Sequence, residues 1–125
     1  MASGPPIRAE AVEQAITSAH SRRILSLCVK QPLPVRTLVE RSGIAQATLY
    51  RQVHTLVESG LLVVERSALT SDGKAYDLYR SRLRSARVGF EADKPEVSWE
   101  PNLPVEDRLL RMMGSLRGPA AGGEA

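Results

Sequence analysis

The chain has little of several features that define whole classes of protein. It has one cysteine, Cys28, in 125 residues, so neither an internal disulfide nor a cysteine-based zinc site is available, and folding needs no oxidising compartment. It has no run of about 18 apolar residues, the length that a membrane helix requires. Its first residues lack the basic and apolar regions of a signal peptide. These absences predict a cytoplasmic protein that is neither secreted nor inserted in a membrane.

Motifs of catalysis are also missing. The sequence contains no phosphate-binding glycine loop, no G-x-S-x-G turn and no H-E-x-x-H. Its two histidines, His20 and His54, fall on different predicted helices. Each is more simply explained as a surface or structural side chain than as a base or metal ligand. The sequence therefore predicts a protein that is not an enzyme and that uses no metal or cofactor.

What is present is the composition of one globular domain, with 42% apolar and 25% charged residues. The net charge of +3 is unevenly distributed. Residues 1–90 hold 13 Lys and Arg against 7 Asp and Glu, whereas residues 91–125 hold 4 against 7. A basic portion followed by an acidic one is typical of a polyanion-binding surface joined to a segment with another role, although solvated charge alone would give the same balance.

Apolar periodicity predicts helices in the first half of the chain. Residues 9–18 and 24–28 fit two helices or one kinked helix. Pro34 suits the first turn of a short helix over residues 35–41, and Gly43 supplies the left-handed conformation that ends it. A longer helix is predicted over residues 46–58, with an apolar face of Leu49, Val53 and Leu56.

After residue 60 the period becomes that of strands. The apolar run 61–64 and the segment 75–83 predict a hairpin whose polar tip, residues 67–74, contains the turn signal Asp72-Gly73. Alternation over residues 86–100 predicts a second hairpin.

A last helix is predicted from Pro104 onward, with a heptad-like apolar stripe. In so short a chain, one side of this stripe is expected to lack an intramolecular partner, and the same holds for the N-terminal helix. A homodimer would bury both. The alternative is that these side chains pack on the domain's own sheet, against Val97 and Trp99. The residues predicted for dimerisation are Val12, Ile16, Val105, Leu109, Met112, Met113 and Leu116.

The order from Val35 to Leu83 is short helix, tight turn, longer helix, strand, polar loop and strand, with one more helix before it. This order, and the run T-L-Y-R-x-V-x-x-L-x-x-x-G-L-L at residues 48–62, resemble the ArsR-type and related winged helix-turn-helix transcription regulators of bacteria and archaea. The resemblance covers residues 20–83. The ArsR-type metal sensors carry paired cysteines, but Cys28 has no such partner, so metal sensing is not expected.

The predicted fold class is α+β, mainly α with small antiparallel β: a winged helix-turn-helix with an extra C-terminal β-hairpin and helix. The predicted organisation is a disordered N-terminus (1–6), a winged helix-turn-helix DNA-binding domain (7–85), a hairpin and helix for dimerisation (86–117) and a disordered tail (118–125).

A helix that enters the major groove needs polar side chains on one face and apolar anchors on the other, and residues 46–58 have both. Arg51 is the best candidate for a bidentate contact with guanine, and Gln46 is suited to adenine. Ala47 or Thr48 would meet a thymine methyl group, and Tyr50 a phosphate. A solvated helix face is the alternative for Arg51 and Gln52. The predicted DNA-binding residues are Arg36, Thr37, Gln46, Ala47, Thr48, Tyr50, Arg51, His54, Arg66 and Lys74.

Outside this helix, Arg36 and Thr37 begin the preceding helix, where side chains and free N–H groups hold phosphate. Arg66 and Lys74 belong to a basic wing over residues 65–75, predicted to grip DNA backbone or minor groove, although a solubilising loop would look similar. A second basic run either extends this surface or solvates an edge strand. It consists of Arg80, Arg82, Arg84 and Arg87.

The leading prediction is a homodimeric, sequence-specific regulator that binds double-stranded DNA. One alternative is a winged helix that serves as a protein interaction module. Another is a non-specific architectural DNA-binding protein, which would need more positive charge than +3. No small-molecule effector is evident from the sequence, although a set of aromatic residues would line either a ligand pocket or the sheet. They are Tyr76, Tyr79, Phe90 and Trp99.

Overall fold

A computed structural model describes the backbone of residues 6–117 and the side chains of residues 6–112. The predicted disordered ends lie outside the described residues, except for Pro6. The elements are α1 (Ala9–Thr17), α2 (Ala19–Leu27), α3 (Val35–Ser42), α4 (Gln46–Glu58), β1 (Leu62–Leu69), β2 (Ala75–Ser81), β3 (Leu83–Gly89), β4 (Glu96–Pro101) and α5 (Leu103–Arg117). This mixture of helices with two small antiparallel sheets confirms the predicted α+β fold class and is consistent with a winged helix-turn-helix.

The N-terminal segment forms two helices rather than one kinked helix. Ser18 separates α1 from α2 because its backbone is extended, with φ −105° and ψ 117°. Its hydroxyl accepts a hydrogen bond of 3.1 Å from the amide of Ser21, which satisfies one of the free N–H groups of the first turn of α2.

The turn between α3 and α4 depends on Gly43. Its φ of 73° lies in the left-handed region, and its amide donates to the carbonyl of Val39 at 3.1 Å. Ser42 Oγ then accepts the amide of Ile44 at 3.0 Å, which directs the Ile44 side chain into the core. This turn fixes how α4 leaves α3, and α4 has the predicted bounds.

The first hairpin is longer on its β1 side than the apolar run 61–64 predicts. β1 pairs with β2 from Leu62↔Ser81 to Leu69↔Ala75, with a register shift at Glu65. The outer part of β1 extends beyond the core and pairs with β2 through its main chain. Its side chains need not be apolar there, so an apolar run does not predict this part of the strand. The main chain of Leu33, just before α3, also bridges to Tyr79 of β2, with N–H to O distances of 2.9 and 2.8 Å.

The predicted second hairpin is present, but it begins at Leu83, which the sequence pattern assigns to the first hairpin. β3 pairs with β4 from Leu83↔Pro101 to Gly89↔Glu96. α1 packs against both of its strands. Val97 and Trp99 on β4 are partly buried against the core. One apolar cluster joins this hairpin to the helices, and its fully buried members include Val12, Ile24, Leu38, Leu49, Leu61 and Leu62.

The predicted dimerisation residues are not all on the surface. Val12 and Val105 are 0% and 2% exposed within the single chain, so the expectation that they lack intramolecular partners is wrong. They pack in the chain's own interior because α1 lies on the second hairpin and the first turn of α5 follows β4 directly. Ile16 and Leu109 are partly buried. The side chains of Met113 and Leu116 lie outside the described residues.

Arg80 and Arg82, from the second basic run, neither extend an exposed basic surface nor solvate an edge strand. The guanidinium of Arg80 donates to Glu65 at 2.9 Å and to the carbonyls of Val29 and Lys30 at 3.1 Å each. Arg82 is 2% exposed and makes a bidentate contact with Glu106, at 2.9 and 3.0 Å. Both arginines therefore tie elements together inside the molecule, whereas Arg84 and Arg87 are exposed.

Candidate nucleic-acid interface

α4 separates its apolar and polar side chains onto two faces. Leu49, Val53 and Leu56 are 0%, 3% and 2% exposed and fix the helix to the core. The opposite face is open to solvent and carries most of the residues predicted to contact bases. Gln46, Ala47, Tyr50, Arg51 and His54 are exposed, and Thr48 is partly buried.

The polar side chains of α4 make few contacts that would hold them away from a ligand. Arg51 Nη2 lies 3.3 Å from Thr48 Oγ1, one helical turn earlier. His54 Nε2 lies 3.2 Å from Glu58 Oε2, and both side chains are largely exposed. Ala45 at the N-cap offers no side-chain acceptor, so the first amides of α4 have no side-chain cap within the described structure.

Gln52 differs from its neighbours on α4. Its amide nitrogen donates to Ser18 Oγ at 3.3 Å and to Ser21 Oγ at 3.0 Å. Ser18 is the N-cap of α2 and Ser21 lies in its first turn, so Gln52 joins α4 to the α1–α2 junction. The spacing of apolar residues gives no sign of this role, because it depends on two side chains more than 30 residues earlier.

A crevice of about 570 Å³ lies between the start of α3, the exposed face of α4 and the first hairpin. It brings together Arg36 and Tyr50, two of the predicted DNA-binding residues, with Tyr76 and Tyr79 from β2. Arg36 is exposed and lies 3.9 Å from Glu40 of the same helix, and Thr37 is partly buried.

Tyr76 and Tyr79 are further candidates for DNA contact because they line the same crevice. They are not among the DNA-binding residues predicted from the sequence. The register of β2 against β1 and the bridge to Leu33 place them beside α3 and α4. Burial, followed by the nearby Asp77 carboxylate and Tyr50, raises the pKa of Tyr79. The Tyr79 phenol is therefore a neutral hydrogen-bonding group at neutral pH.

The tip of the first hairpin is a tight turn stabilised by its own side chains. The amide of Lys74 donates to Thr70 Oγ1 at 3.0 Å, Thr70 Oγ1 in turn donates to Asp72, and Gly73 has φ 88°. Arg66 and Lys74 are exposed, as a DNA-contacting wing requires. Residues 65–75 also contain Glu65 and Asp72, so the formal charge of the segment is zero, although Glu65 is already paired with Arg80 at 2.9 Å.

The geometry described so far is a helix-turn-helix followed by a β-hairpin that lies beside the second helix. Residues 30–66 match the IclR helix-turn-helix domain. The match covers α3, the whole of α4 with its exposed face, and the start of β1. It supports a winged helix-turn-helix that binds double-stranded DNA in transcription regulation, and it does not extend to the ArsR-like subtype. A comparison with curated proteins finds no match.

Two other findings concern the described residues only. Within residues 6–117 no helix is long and apolar enough to cross a membrane. Among the described side chains, no group of three or more His, Cys, Asp and Glu is placed to hold a metal ion. Cys28, which lacks the second cysteine of an ArsR-type metal sensor, is fully buried in the apolar core.

Proposed function

We propose that the protein is a sequence-specific transcription regulator that binds double-stranded DNA as a homodimer. One observation supports this most strongly. α4 projects Gln46, Ala47, Tyr50 and Arg51 away from a buried apolar face, within the segment that matches the IclR helix-turn-helix domain. A helix held in this way can enter the major groove without losing its packing.

Base readout is assigned to the exposed face of α4. Arg51 is held only by the long contact to Thr48, and a guanidinium forms two parallel hydrogen bonds with guanine O6 and N7. Gln46 suits adenine, and Ala47 or Thr48 suits a thymine methyl group. His54, which lies against Glu58, contacts the far edge of the same site.

Backbone contacts are assigned to the crevice and to the wing. Arg36 and Tyr50 both line the crevice, beside Asp77, and a guanidinium and a phenol hydroxyl are each suited to donate a hydrogen bond to a phosphate oxygen. Thr37 shares the first turn of α3 with Arg36. Arg66 and Lys74 contact the neighbouring phosphates, because they are the exposed cations of the wing. Because Glu65 is paired with Arg80, Asp72 is the carboxylate of this segment that offsets Arg66 and Lys74, and the wing adds a small positive charge to the proposed interface.

The dimer is assigned to α5. The stripe of Val105, Leu109 and Met112 changes from 2% exposed at Val105, through partial burial, to 54% exposed at Met112. Leu110, beside it, is 47% exposed. The apolar stripe thus continues beyond the surface of its own domain, where a second copy would cover it. A two-fold dimer would place two α4 helices on half-sites about one DNA turn, roughly 34 Å, apart.

The test begins with selection of bound duplexes from a random pool at about 150 mM salt, where weak surface electrostatics is largely screened. An enriched inverted repeat is the expected result. Affinity for that duplex is then measured for Arg51→Ala and for Lys94→Ala, which removes an exposed cation from the loop between β3 and β4.

Loss of Arg51 is expected to weaken specific binding by about 1–3 kcal/mol and to relax the preference at one base pair. The Lys94 variant should bind like the wild type. Equal affinity of the Arg51 variant and the wild type would refute the proposed readout. Binding without any enriched motif would instead favour an architectural protein, and absence of binding would favour a protein partner.

A further inference from the structure

A groove of about 250 Å³ lies between α1, α2 and β3, on residues that belong neither to α3, α4 nor the wing. Its floor is apolar and includes Ile16, Leu25 and Leu83. Arg22, Arg84 and Ser85 are polar groups among its lining. The groove is therefore an apolar recess with cationic groups beside it, and it is separate from the proposed DNA face.

We propose that this groove binds a small monocarboxylic acid with an apolar body, and that the bound acid changes the affinity for DNA. The second half of this statement rests on the proposed function. The first half concerns the groove alone and is tested without DNA.

The charge of the groove selects an anion. None of the described lining residues is acidic, whereas two are arginines. Within residues 6–112, no carboxylate lies within ion-pair distance of Arg22 or Arg84. Arg22 Nη1 donates to the carbonyl of Ile16, which orients the guanidinium. A guanidinium has five N–H donors, so others remain for a ligand carboxylate.

The floor selects the rest of the ligand. At about 250 Å³ the groove is slightly smaller than the roughly 300–1,000 Å³ typical of small-molecule sites, so it suits a small apolar body. An inorganic anion would leave this floor wet and gain nothing from it. The ligand class is therefore an aliphatic or aromatic acid rather than a bare phosphate or sulfate.

Hydrogen bonds connect α4 with the start of α2, the helix that carries the groove residues Arg22 and Leu25. Arg22 beside the groove follows directly on Ser21, whose hydroxyl accepts from Gln52 of α4 at 3.0 Å. Gln52 also donates to Ser18 at the α1–α2 junction. A ligand that shifts α1 or α2 would therefore also shift α4, the proposed base-contacting helix. This requires that the ligand binds the shifted conformation and the original conformation with different affinity.

The probe for the groove is sodium octanoate, and the matched control is 1-octanol, which has the same chain without the charge. Both are titrated into the ¹⁵N-labelled full chain while amide resonances are followed by NMR. We expect saturable shifts at Ile16, Leu25 and Ser85 with octanoate, and binding at least about tenfold weaker with octanol, since a charge-assisted hydrogen bond is lost.

Arg84→Gln should weaken octanoate binding by about tenfold, whereas Arg87→Gln, which alters another exposed arginine of β3, should leave it unchanged. The amide spectra of both variants report whether the fold is intact. Three results would overturn the site: no saturable shift, equal binding of octanol and octanoate, or shifts of the groove amides with protein concentration alone. The last result would mean that a second copy covers the groove.

The coupling is measured as the affinity for the selected duplex, by fluorescence anisotropy, with and without saturating octanoate. A change of at least about threefold is expected, within the lower range of allosteric couplings. Unchanged affinity in the presence of NMR-verified binding would refute the effector role. If no duplex is bound even without octanoate, the proposed function fails, and the NMR titration still decides the groove.

Discussion

Two buried polar residues, Arg82 and Asn102, hold the second hairpin and α5 against the rest of the domain. Arg82 binds Glu106 of α5 with two hydrogen bonds and also donates to the carbonyl of Gly60, just after α4, at 3.2 Å. Asn102 adds two more links, to the carbonyls of Val29 and Ser81, at 2.9 and 2.8 Å. The end of α4 and the start of α5 are therefore joined through one arginine.

Replacement of Arg82 by Met is expected to lower the free energy of unfolding by about 3–5 kcal/mol, because Glu106 is left as a buried charge without this partner. Urea unfolding measures the change. The double variant Arg82→Met/Glu106→Leu should recover much of the loss, since it removes both charges. Arg36→Ala serves as the control, because its pair with Glu40 is exposed and contributes little. A double variant as unstable as the single one would contradict this explanation.

Cys28 makes stability depend on pH at the alkaline end. Burial, opposed by a smaller effect of Arg80, raises the pKa of its thiol to about 12. The unfolded chain releases this proton near pH 9.0 while the folded chain keeps it. The unfolded state therefore binds fewer protons above pH 9.0, and the free energy of unfolding falls as pH rises towards about 12.

Cys28→Ala removes this titration and also some core volume. It should be less stable than the wild type at pH 8, but the gap should narrow above pH 9 by at most about 1.4 kcal/mol per pH unit. Urea unfolding between pH 8 and 10.5 measures the gap. A gap that stays constant across this range would show that the thiol keeps an ordinary pKa in the fold.

At the scale of elements, the angle between α3 and α4 depends on one left-handed residue. Gly43 has φ +73°, and no atom lies within 4 Å of the position that a Cβ would occupy. Substitution is therefore resisted by the backbone conformation and not by crowding. The contrast with Gly89 is useful, because that residue also has open space but no positive φ.

Gly43→Ala is expected to cost about 1–2 kcal/mol in stability, the penalty of a side chain in the left-handed region. Gly89→Ala should leave stability unchanged or slightly raised, because alanine restricts the unfolded chain. Thermal and urea unfolding of the two variants give the comparison. Equal stability of both variants would mean that the turn relaxes into another conformation at no cost.

At the scale of the whole molecule, the proposed dimer rests on the exposed end of the α5 stripe. The double variant Leu110→Ser/Met112→Ser is expected to sediment as a monomer where the wild type sediments as a dimer. Its affinity for an inverted repeat should fall steeply, because two half-sites are no longer held together. Arg111→Ala, an exposed change on the same helix, should leave the dimer intact. A wild type that sediments as a monomer at micromolar concentration would refute the α5 assignment.

Local sequence signals were sufficient for most elements. The 3.6-residue spacing of Leu49, Val53 and Leu56 predicts α4 with its observed bounds, because a buried helical face must repeat at that period. Gly43 and Asp72-Gly73 mark turns for a similarly local reason, the φ that each turn requires. The sequence alone therefore determined the order of elements, the α+β class and the polar face of α4.

Only the tertiary structure decided which charged and apolar side chains the interior would take. Arg80 and Arg82 look like Arg84 and Arg87 in the sequence, yet the first two are held by Glu65 and Glu106, 15 and 24 residues away. Val12 is buried although the same pattern would suit an interface. Burial and ion pairing depend on which distant segments meet, and that information lies in the packing of α1, β3, β4 and α5 rather than in any local period.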